Sequence, residues 1–142
     1  MQFTPADVYV RHTGTAKGRA VYAARPFRAG EVVEYCPVVL FDGHFKSVPN
    51  EVRQLLFNWG FLAKVRDTHC LALGYGSLYN HNNPANMRYE ADLERPALCF
   101  IAVRDVALDE ELTVNYNAVG GAHHSDDDTW FDRMGIEPIV SD

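Results

Sequence analysis

Short apolar runs, broken every few positions by glycine, proline or asparagine, are the feature that most limits how this chain can fold. The longest uninterrupted apolar run covers residues 97–103 and has only seven members. A membrane-spanning helix needs about 20 apolar residues, whereas a run of about four to eight suits a strand. The pattern therefore predicts a mainly β domain. Its predicted strands cover residues 8–11, 19–24, 31–40 with a break at Pro37, 70–73, 86–91, 97–103 and 111–116.

One segment near the middle of the chain has the spacing of a helix instead. Pro49 stands near a typical first helical position, and apolar side chains follow it at helical intervals up to Gly60. These side chains are Val52, Leu55, Leu56 and Trp59. We therefore predict one helix inserted into the β domain.

A nine-residue pattern occurs twice, 79 positions apart. Residues 25–33 and 104–112 both contain an arginine, an apolar residue two positions later, a turn residue, an acidic residue and then a strand. The turn residue is Gly30 in the first copy and Asp109 in the second, and both types tolerate a left-handed backbone. The repeat predicts two similar turn-and-strand units, and hence two similar small sheets instead of one extended barrel.

Size and charge exclude several functional classes. A chain of 142 residues suits one compact domain, and 19 acidic against 13 basic side chains give a formal net charge of −6. Binding to phosphate backbones requires many closely placed cations, so we expect no direct nucleic-acid partner. An acidic surface favours a basic partner instead. The start of the chain has no signal-peptide pattern and no run long enough for a spanning helix, so we expect no membrane partner.

The cysteines indicate the compartment. Cys36, Cys70 and Cys99 are widely spaced, lie in apolar stretches and form no C-x-x-C pair. This arrangement favours buried, reduced thiols over a zinc site or a disulfide framework. We therefore expect no bound metal and a protein of a reducing compartment, such as the cytoplasm.

Two segments hold polar residues that turns and a core alone would not require. Residues 14–19 form a loop with two glycines, and its main chain, with Lys17 or Arg19, could hold a small ligand that has carboxylate and amino ends. Residues 74–86 concentrate four asparagines and His81 directly after an apolar strand. Taken alone, each segment is also compatible with an ordinary turn or with a histidine in the core.

A third such segment covers residues 110–117. Period-two alternation places Leu112, Val114 and Tyr116 on one face, so the Tyr116 phenol emerges at the end of a buried strand. A phenol in this position can orient hydrogen bonds near a reacting group. As an isolated feature, it is more often a structural tyrosine.

Together and in this order, the three segments resemble the SET domain family of protein lysine methyltransferases. The similarity runs from about Val8 to Asn117. The first segment is similar to the family motif whose main chain holds the methionine end of S-adenosylmethionine. The resemblance therefore implies cofactor-binding roles for Lys17, Gly18 and Arg19.

The second and third segments supply the rest of the implied site. Asn80 and His81 are similar to the family's Asn-His signature, which surrounds the adenine and the amino group of the cofactor. Tyr116 is similar to the tyrosine of the final motif, which lines the methyl-transfer channel next to the cofactor. By the same resemblance Tyr75 would be a second channel tyrosine, in contact with the substrate, so that Tyr116 and Tyr75 are the implied catalytic residues.

Three departures from the family pattern lie inside the motifs. Pro84 comes one position early, although Asn86 keeps its spacing from the Asn-His pair. Asn115 replaces the usual aspartate before the final tyrosine, and Ala20 stands where a third glycine is common. The cysteine-rich zinc segments of many eukaryotic members are missing from the sequence, which therefore resembles the small, zinc-free bacterial or viral type.

The resemblance implies a SET-domain, β-clip-like fold over residues 1–117, with several small sheets, one inserted helix and a knotted C-terminal segment. Residues 118–142 would then form a tail similar to a post-SET segment. In that tail, Trp130 and Phe131 could complete the channel that binds the substrate lysine.

The implied activity is transfer of a methyl group from S-adenosylmethionine to a lysine amine of a basic protein, such as a histone or a nucleoid protein. The enzyme would be a monomer or a homodimer in the cytoplasm, or in a host nucleus for a bacterial or viral effector. Two alternatives stay open. The altered motifs allow a SET-like binding module without catalysis, and the β-rich pattern allows an interaction domain without a cofactor.

Overall fold

The computed structural model describes residues 3–42, 47–66, 68–117 and 120–121, and strands dominate these ranges. In chain order the strands are β1 (Val8–His12), β2 (Arg19–Ala23), β3 (Val32–Asp42), β4 (Leu56–Phe57), β5 (Thr68–Ala72), β6 (Asn80–His81), β7 (Met87–Asp92), β8 (Ala97–Ala102) and β9 (Thr113–Val114). Two short helices, α1 (Asn50–Arg53) and α2 (Trp59–Ala63), lie on either side of β4. The mainly β class predicted from the short apolar runs is confirmed.

The strands form three sheets. β1 and β2 make an antiparallel pair, and a larger antiparallel sheet has the order β4-β5-β3-β8-β7. β6 and β9 make a third sheet of two parallel strands. The prediction of several small sheets is therefore confirmed, and the parallel pair joins parts of the chain that lie far apart in sequence.

The prediction of a single helix after Pro49 is wrong in detail. α1 ends at Arg53, and Leu56 and Phe57 then pair with β5 before α2 begins. The side chain of Asn58 accepts a hydrogen bond from the backbone N–H of Phe61 at 3.1 Å, which caps α2. Pairing with β5 satisfies the backbone groups of β4 and buries Leu56, so tertiary contacts override the helical spacing.

Gly60 lies inside α2 and does not end a helix as the sequence suggested. A Cβ atom at this position would lie 2.5 Å from the carbonyl oxygen of Arg66, so only glycine allows the chain to approach so closely. α2 instead ends at Ala63, and Lys64, which caps it, has a left-handed φ of 57°.

The two turn-and-strand units of the repeat face each other. The backbone N–H of Phe27 donates to the carbonyl of Val106 at 2.9 Å, and the N–H of Val106 donates to the carbonyl of Phe27 at 2.8 Å. The turn residues Gly30 and Asp109 both have positive φ, of 89° and 67°. The repeat predicted from the sequence is therefore present, with left-handed turn residues in both copies.

The same side-chain contacts occur in both units. Arg25 lies 3.3 Å from Glu31, and Arg104 lies 2.6 Å from Glu110. Each carboxylate also accepts the backbone N–H three positions before it, at 2.6 Å in the first unit and 3.1 Å in the second. Because these acceptors satisfy N–H groups of the turn, each acidic residue fixes the start of the strand that follows it.

An aromatic core lies beneath the third sheet. The rings of Tyr79 and Phe100 are 4.9 Å apart, and Tyr89 lies 5.8 Å from the same Phe100 ring. Phe57 contacts both Tyr89 and Phe100 edge-on, at centroid distances of 5.3 and 5.9 Å. These contacts place β4, β7 and β8 around the residue that precedes the Asn-His pair, so the core supports the site directly.

The three cysteines are buried free thiols, as the sequence predicted. Burial raises the pKa of Cys70 to about 12 and that of Cys99 to about 11, so both thiols stay protonated at neutral pH. Within the described ranges, no three His, Cys, Asp or Glu side chains come together in a way that could hold a metal ion. No helix in the same ranges is long and apolar enough to cross a membrane.

Because Gly30 lies in a left-handed turn, its substitution by alanine should destabilise the domain more than the same substitution at another exposed glycine. Gly30→Ala should lower the free energy of unfolding by about 1 to 2 kcal/mol, because a side chain is strained at φ of 89°. Gly120→Ala is the matched control, since its Cβ also enters open space but its φ lies outside the left-handed region. Urea unfolding measures both, and equal midpoints for the two variants would contradict the assignment.

Candidate active site

The parallel pairing of β6 with β9 brings the second and third polar segments together. Asn80 pairs with Thr113 and His81 pairs with Val114. The ladder continues beyond the strands, because the backbone N–H of Asn82 donates to the carbonyl of Val114 at 3.1 Å. The Asn-His pair and the strand that ends at Tyr116 therefore lie side by side.

The side chain of Asn86 holds this pairing from below. Its amide NH₂ donates to the carbonyl of Glu111 at 2.8 Å, and its oxygen accepts the backbone N–H of Thr113 at 2.8 Å. Asn86 is buried, so these two bonds satisfy backbone groups that have no access to water. The asparagine that keeps its family spacing thus connects the loop after β6 to β9, even though Pro84 is displaced by one position.

Tyr116 is fixed by hydrogen bonds at both of its ends. Its backbone N–H donates to Nδ1 of His81 at 3.1 Å, and its hydroxyl donates to the carbonyl of Tyr79 at 2.9 Å. The rings of His81 and Tyr116 are 5.2 Å apart. The structure therefore brings together two residues that the sequence assigned to different motifs, and it adds Tyr79 as the partner of the phenol.

Burial keeps both rings uncharged at neutral pH. Burial, with a smaller contribution from the nearby charge of Lys17, lowers the pKa of His81 to about 4. Burial also raises the pKa of the Tyr116 phenol above its ordinary value, and the phenol of Tyr89 and the carboxylate of Glu111 add to this shift. His81 is therefore a hydrogen-bond acceptor at Nδ1, and Tyr116 is a hydrogen-bond donor.

A pair of opposite charges lies next to these rings. The ammonium of Lys17 is 3.7 Å from the carboxylate of Glu111, and the Lys17 side chain is only 9% exposed. The side-chain amide of Asn80 donates to Glu111 at 3.1 Å and to the carbonyl of Arg19 at 2.8 Å. The first polar segment thus reaches the second and third through its lysine side chain and through one main-chain carbonyl.

The loop that carries Lys17 is closed by its own backbone. The N–H of Thr13 donates to the carbonyl of Gly18 at 2.7 Å, and the N–H of Gly18 donates to the carbonyl of Thr15 at 3.0 Å. Gly18 has a φ of 73°, which suits glycine. The side chain of Arg19 is exposed and its carbonyl accepts the Asn80 amide, and its role in cofactor binding stays a prediction.

The chemistry of this set of side chains fits the amino-acid end of S-adenosylmethionine. That end carries a carboxylate and an ammonium group. Lys17 offers a partly desolvated cation to the carboxylate, whereas Glu111 and the side-chain oxygen of Asn80 offer acceptors to the ammonium. These residues could therefore hold the cofactor in the way that the sequence resemblance implied for Lys17 and Asn80.

The remaining predicted site residues have different outcomes. Tyr75 is half-buried, and its backbone N–H donates to the carboxylate of Glu34, which also accepts the hydroxyl of Tyr79. Tyr75 is thereby linked to Tyr116 through Glu34 and Tyr79. Its role in a substrate channel stays a prediction. Trp130 and Phe131, predicted to complete that channel, lie outside the described residues.

Sequence reasoning missed four residues of the site, namely Glu34, Tyr79, Tyr89 and Glu111. Glu111 lies within the third segment, and alternation along that segment places it on the face opposite Tyr116, so this signal was available. Tyr79 directly precedes the Asn-His pair, but an aromatic residue there is equally typical of the core. Glu34 and Tyr89 belong to strands whose pattern does not set them apart from ordinary strand residues.

Comparison with known proteins decides the family. The sequence model of the SET domain matches residues 18–117. The chain belongs to the SET domain family. The matched range includes the second and third polar segments and the end of the first, so it contains the cluster around Tyr116 and begins one residue after Lys17.

Similar proteins support this assignment. A histone-lysine N-methyltransferase of Schizosaccharomyces pombe, specific for H3 lysine-37, is 26% identical over 103 residues, which cover 70% of this chain and 67% of that protein. A histone methyltransferase of Plasmodium falciparum superposes with a TM-score of 0.63 at 20% identity, over 80% of this chain and 95% of that one. The likeness to the solved structure shows the fold alone.

A larger assembly contains the same SET fold. A chain of the humanized Chaetomium thermophilum polycomb repressive complex 2, solved with the inhibitor GSK126, superposes with a TM-score of 0.63 at 19% identity. The match covers 82% of this chain but only 16% of that one. The predicted SET-domain fold is therefore confirmed by similarity to structures of very different total length.

The uncharged state of His81 predicts how stability depends on pH. Its folded pKa of about 4 lies below the ordinary value of 6.5, so the unfolded chain binds the proton more tightly between these two values. The free energy of unfolding should therefore fall as the pH drops from 6.5 to 4, with a slope from this group of up to about 1.4 kcal/mol per pH unit. Urea unfolding of the wild type and of His81→Gln measures this slope, and the same pH dependence in both proteins would contradict it.

Proposed function

We propose that this SET domain is a protein lysine N-methyltransferase that uses S-adenosylmethionine and acts on a basic protein. One observation carries the proposal. The Tyr116 phenol is held by the Tyr79 carbonyl and lies beside the tilted ring of a neutral His81, next to the opposite charges of Lys17 and Glu111. An uncharged aromatic surface that suits the substrate amine thus adjoins a charged pair that suits the amino-acid end of the cofactor. Methyl transfer to lysine needs both binding sites.

The chemistry requires geometry more than acids and bases. When bound, S-adenosylmethionine would supply a methyl group on a positively charged sulfur that can leave as a neutral thioether, and a lysine nitrogen must be neutral to accept that group. A free lysine has a pKa of about 10.4, and an apolar aromatic surrounding lowers it, so the amine can lose its proton to water beforehand. Holding both reactants in line removes the entropic cost of their encounter.

The residues of this chain have distinct roles in that step. Tyr116 retains its proton because burial raises its pKa, so it orients the amine by hydrogen bonding and does not act as a general base. His81 stays neutral and therefore adds no charge that would repel a sulfonium. Lys17, Glu111 and Asn80 bind the amino-acid end of the cofactor and set its position relative to Tyr116.

The altered final motif is compatible with this activity. Asn115, which stands where the family usually has aspartate, is fully buried, and its side-chain oxygen accepts the backbone N–H of Asn117 at 2.9 Å. An aspartate would accept the same bond but would bury a negative charge at a cost. The asparagine therefore preserves the turn after Tyr116, and the altered motif gives no reason to prefer a binding module without catalysis.

The substrate class follows from charge and from relatives. The net charge of −6 favours association with basic proteins, and the relative from Schizosaccharomyces pombe acts on histone H3. We propose a lysine-containing histone or a similarly basic protein as the partner. The cytoplasmic location expected from the reduced cysteines stays a prediction.

The cofactor site is tested without any knowledge of the substrate. Calorimetric titration of the purified protein with S-adenosylmethionine should give saturable binding of one molecule per chain. A ligand that binds only the folded state must also raise the melting temperature, by an amount that grows with its concentration. Neither heat of binding nor a thermal shift at millimolar cofactor would contradict the proposal and favour a domain that has only the fold of the family.

The role of Tyr116 is tested by removing its hydroxyl. Tyr116→Phe should slow methyl transfer to a histone mixture about a hundredfold or more, since the amine loses the group that orients it. The affinity for S-adenosylmethionine should stay within about threefold, because the charged end of the site is unchanged. Tyr9→Phe is the matched control, because the Tyr9 hydroxyl donates to Asp109 at 2.7 Å on the exposed surface. Equal rates for the two variants would contradict the assigned role.

A further inference from the structure

A buried carboxylate lies beneath the segment that leads into the Asn-His pair. Glu34 of β3 is only 7% exposed, and within the described part of the chain no basic side chain pairs with it. One of its oxygens accepts the Tyr79 hydroxyl at 2.7 Å, and the other accepts the backbone N–H of Tyr75 at 2.9 Å. Burying a carboxylate without a cation is costly, so these two bonds must hold it firmly.

The segment from Gly74 to Tyr79 fits closely over this carboxylate. A Cβ atom at Gly74 would lie 2.5 Å from a carboxylate oxygen of Glu34, and Gly74 has a φ of 69°. A Cβ atom at Gly76 would lie 2.7 Å from Cβ of Ala72 and 2.9 Å from Sγ of Cys36. Only glycine allows such an approach at both positions, so the backbone of this segment is placed by what lies under it.

Tyr79 joins the carboxylate to the reacting end of the site. Its hydroxyl is bonded to Glu34, whereas its backbone carbonyl accepts the hydroxyl of Tyr116 at 2.9 Å. Tyr79 is 2% exposed and directly precedes Asn80 in β6. A shift of the Tyr79 side chain would therefore move the acceptor that orients the Tyr116 phenol.

We propose that Glu34 and Tyr79 are positioning residues for methyl transfer. The buried hydrogen bond between them fixes the Tyr79 carbonyl, and that carbonyl holds the Tyr116 phenol in the orientation that the reaction needs. The inference rests on the proposed function. It states that the buried pair of Glu34 and Tyr79 determines how accurately the Tyr116 phenol is placed. A displacement of about 1 Å in such a site can slow a reaction about a hundredfold.

Removal of the Tyr79 hydroxyl tests the pair with little change in packing. Tyr79→Phe keeps the ring that lies 4.9 Å from Phe100 but takes away the hydroxyl donor to Glu34 and leaves the Tyr75 N–H and the Cys36 thiol as donors. We expect kcat for a histone substrate to fall about ten- to a hundredfold, while the KM for S-adenosylmethionine stays within about threefold. Tyr9→Phe, which removes a phenol-carboxylate bond of the same length on the surface, should retain wild-type kcat.

A pair of substitutions at Glu34 separates hydrogen bonding from shape. Glu34→Gln can accept the Tyr75 N–H with its oxygen and donate its NH₂ to the Tyr79 oxygen, so kcat should stay within about threefold of the wild type. Glu34→Leu has a similar size but makes neither bond, and folded Glu34→Leu should lose kcat as Tyr79→Phe does. Rescue by glutamine but not by leucine is expected only if hydrogen bonding positions the site.

Hydrogen exchange tests the positioning role without measuring catalysis, so it distinguishes a failure of this inference from a failure of the proposed function. The backbone N–H of Tyr116 is bonded to His81, so its hydrogen exchange should become at least tenfold faster in Tyr79→Phe and remain unchanged in Tyr9→Phe. Wild-type kcat and unchanged exchange in folded Tyr79→Phe would overturn the positioning role. A wild-type protein that binds S-adenosylmethionine but methylates no histone would instead overturn the proposed function, and the exchange measurement would still decide the positioning role.

Discussion

The parallel pairing of β6 with β9 is the constraint on which the site depends. Each strand contributes only two residues, Asn80–His81 and Thr113–Val114, so the ladder alone is too short to be stable. Side chains complete it, because Asn86 bonds the backbone of β9 and His81 accepts the N–H of Tyr116. The proposed function assigns ligand contacts to some of the residues that hold the two strands together. The others are direct neighbours of ligand-binding residues. Stability and chemistry share one small set of hydrogen bonds.

Most of the strand pattern could be predicted from the sequence, because turn residues and period-two alternation are local signals. The segment after Pro49 could not, since its apolar spacing suits a helix and only the pairing of Leu56 with β5 makes part of it extended. The repeat was visible because its turn chemistry is local, with Gly30 and Asp109 in left-handed conformations. The sequence could not predict that the two units pair with each other, because this pairing is a tertiary contact between distant parts of the chain.

The site shows the same division. Lys17, Asn80, His81 and Tyr116 stand in local motifs, and a resemblance of those motifs is enough to name them. Glu34 belongs to no such motif. Its role becomes apparent only from the hydrogen bond that it accepts from Tyr79, 45 positions later. The sequence therefore identified the residues that stand in motifs, whereas the residues that hold those motifs in position became apparent only from the packing.

The reciprocal bonds between the two repeat units have a consequence for how the chain folds. Phe27 and Val106 exchange both of their backbone hydrogen bonds across 79 positions of sequence, and Gly30 donates to Ala102 over a similar distance. Local hydrogen bonds close each turn, but the bonds between the two units form only when the long loop between them closes, and that closure costs conformational entropy. Such a high contact order makes folding slow compared with a helical domain of equal length, and it makes a fragment that ends before residue 100 unable to form the first half of the domain by itself.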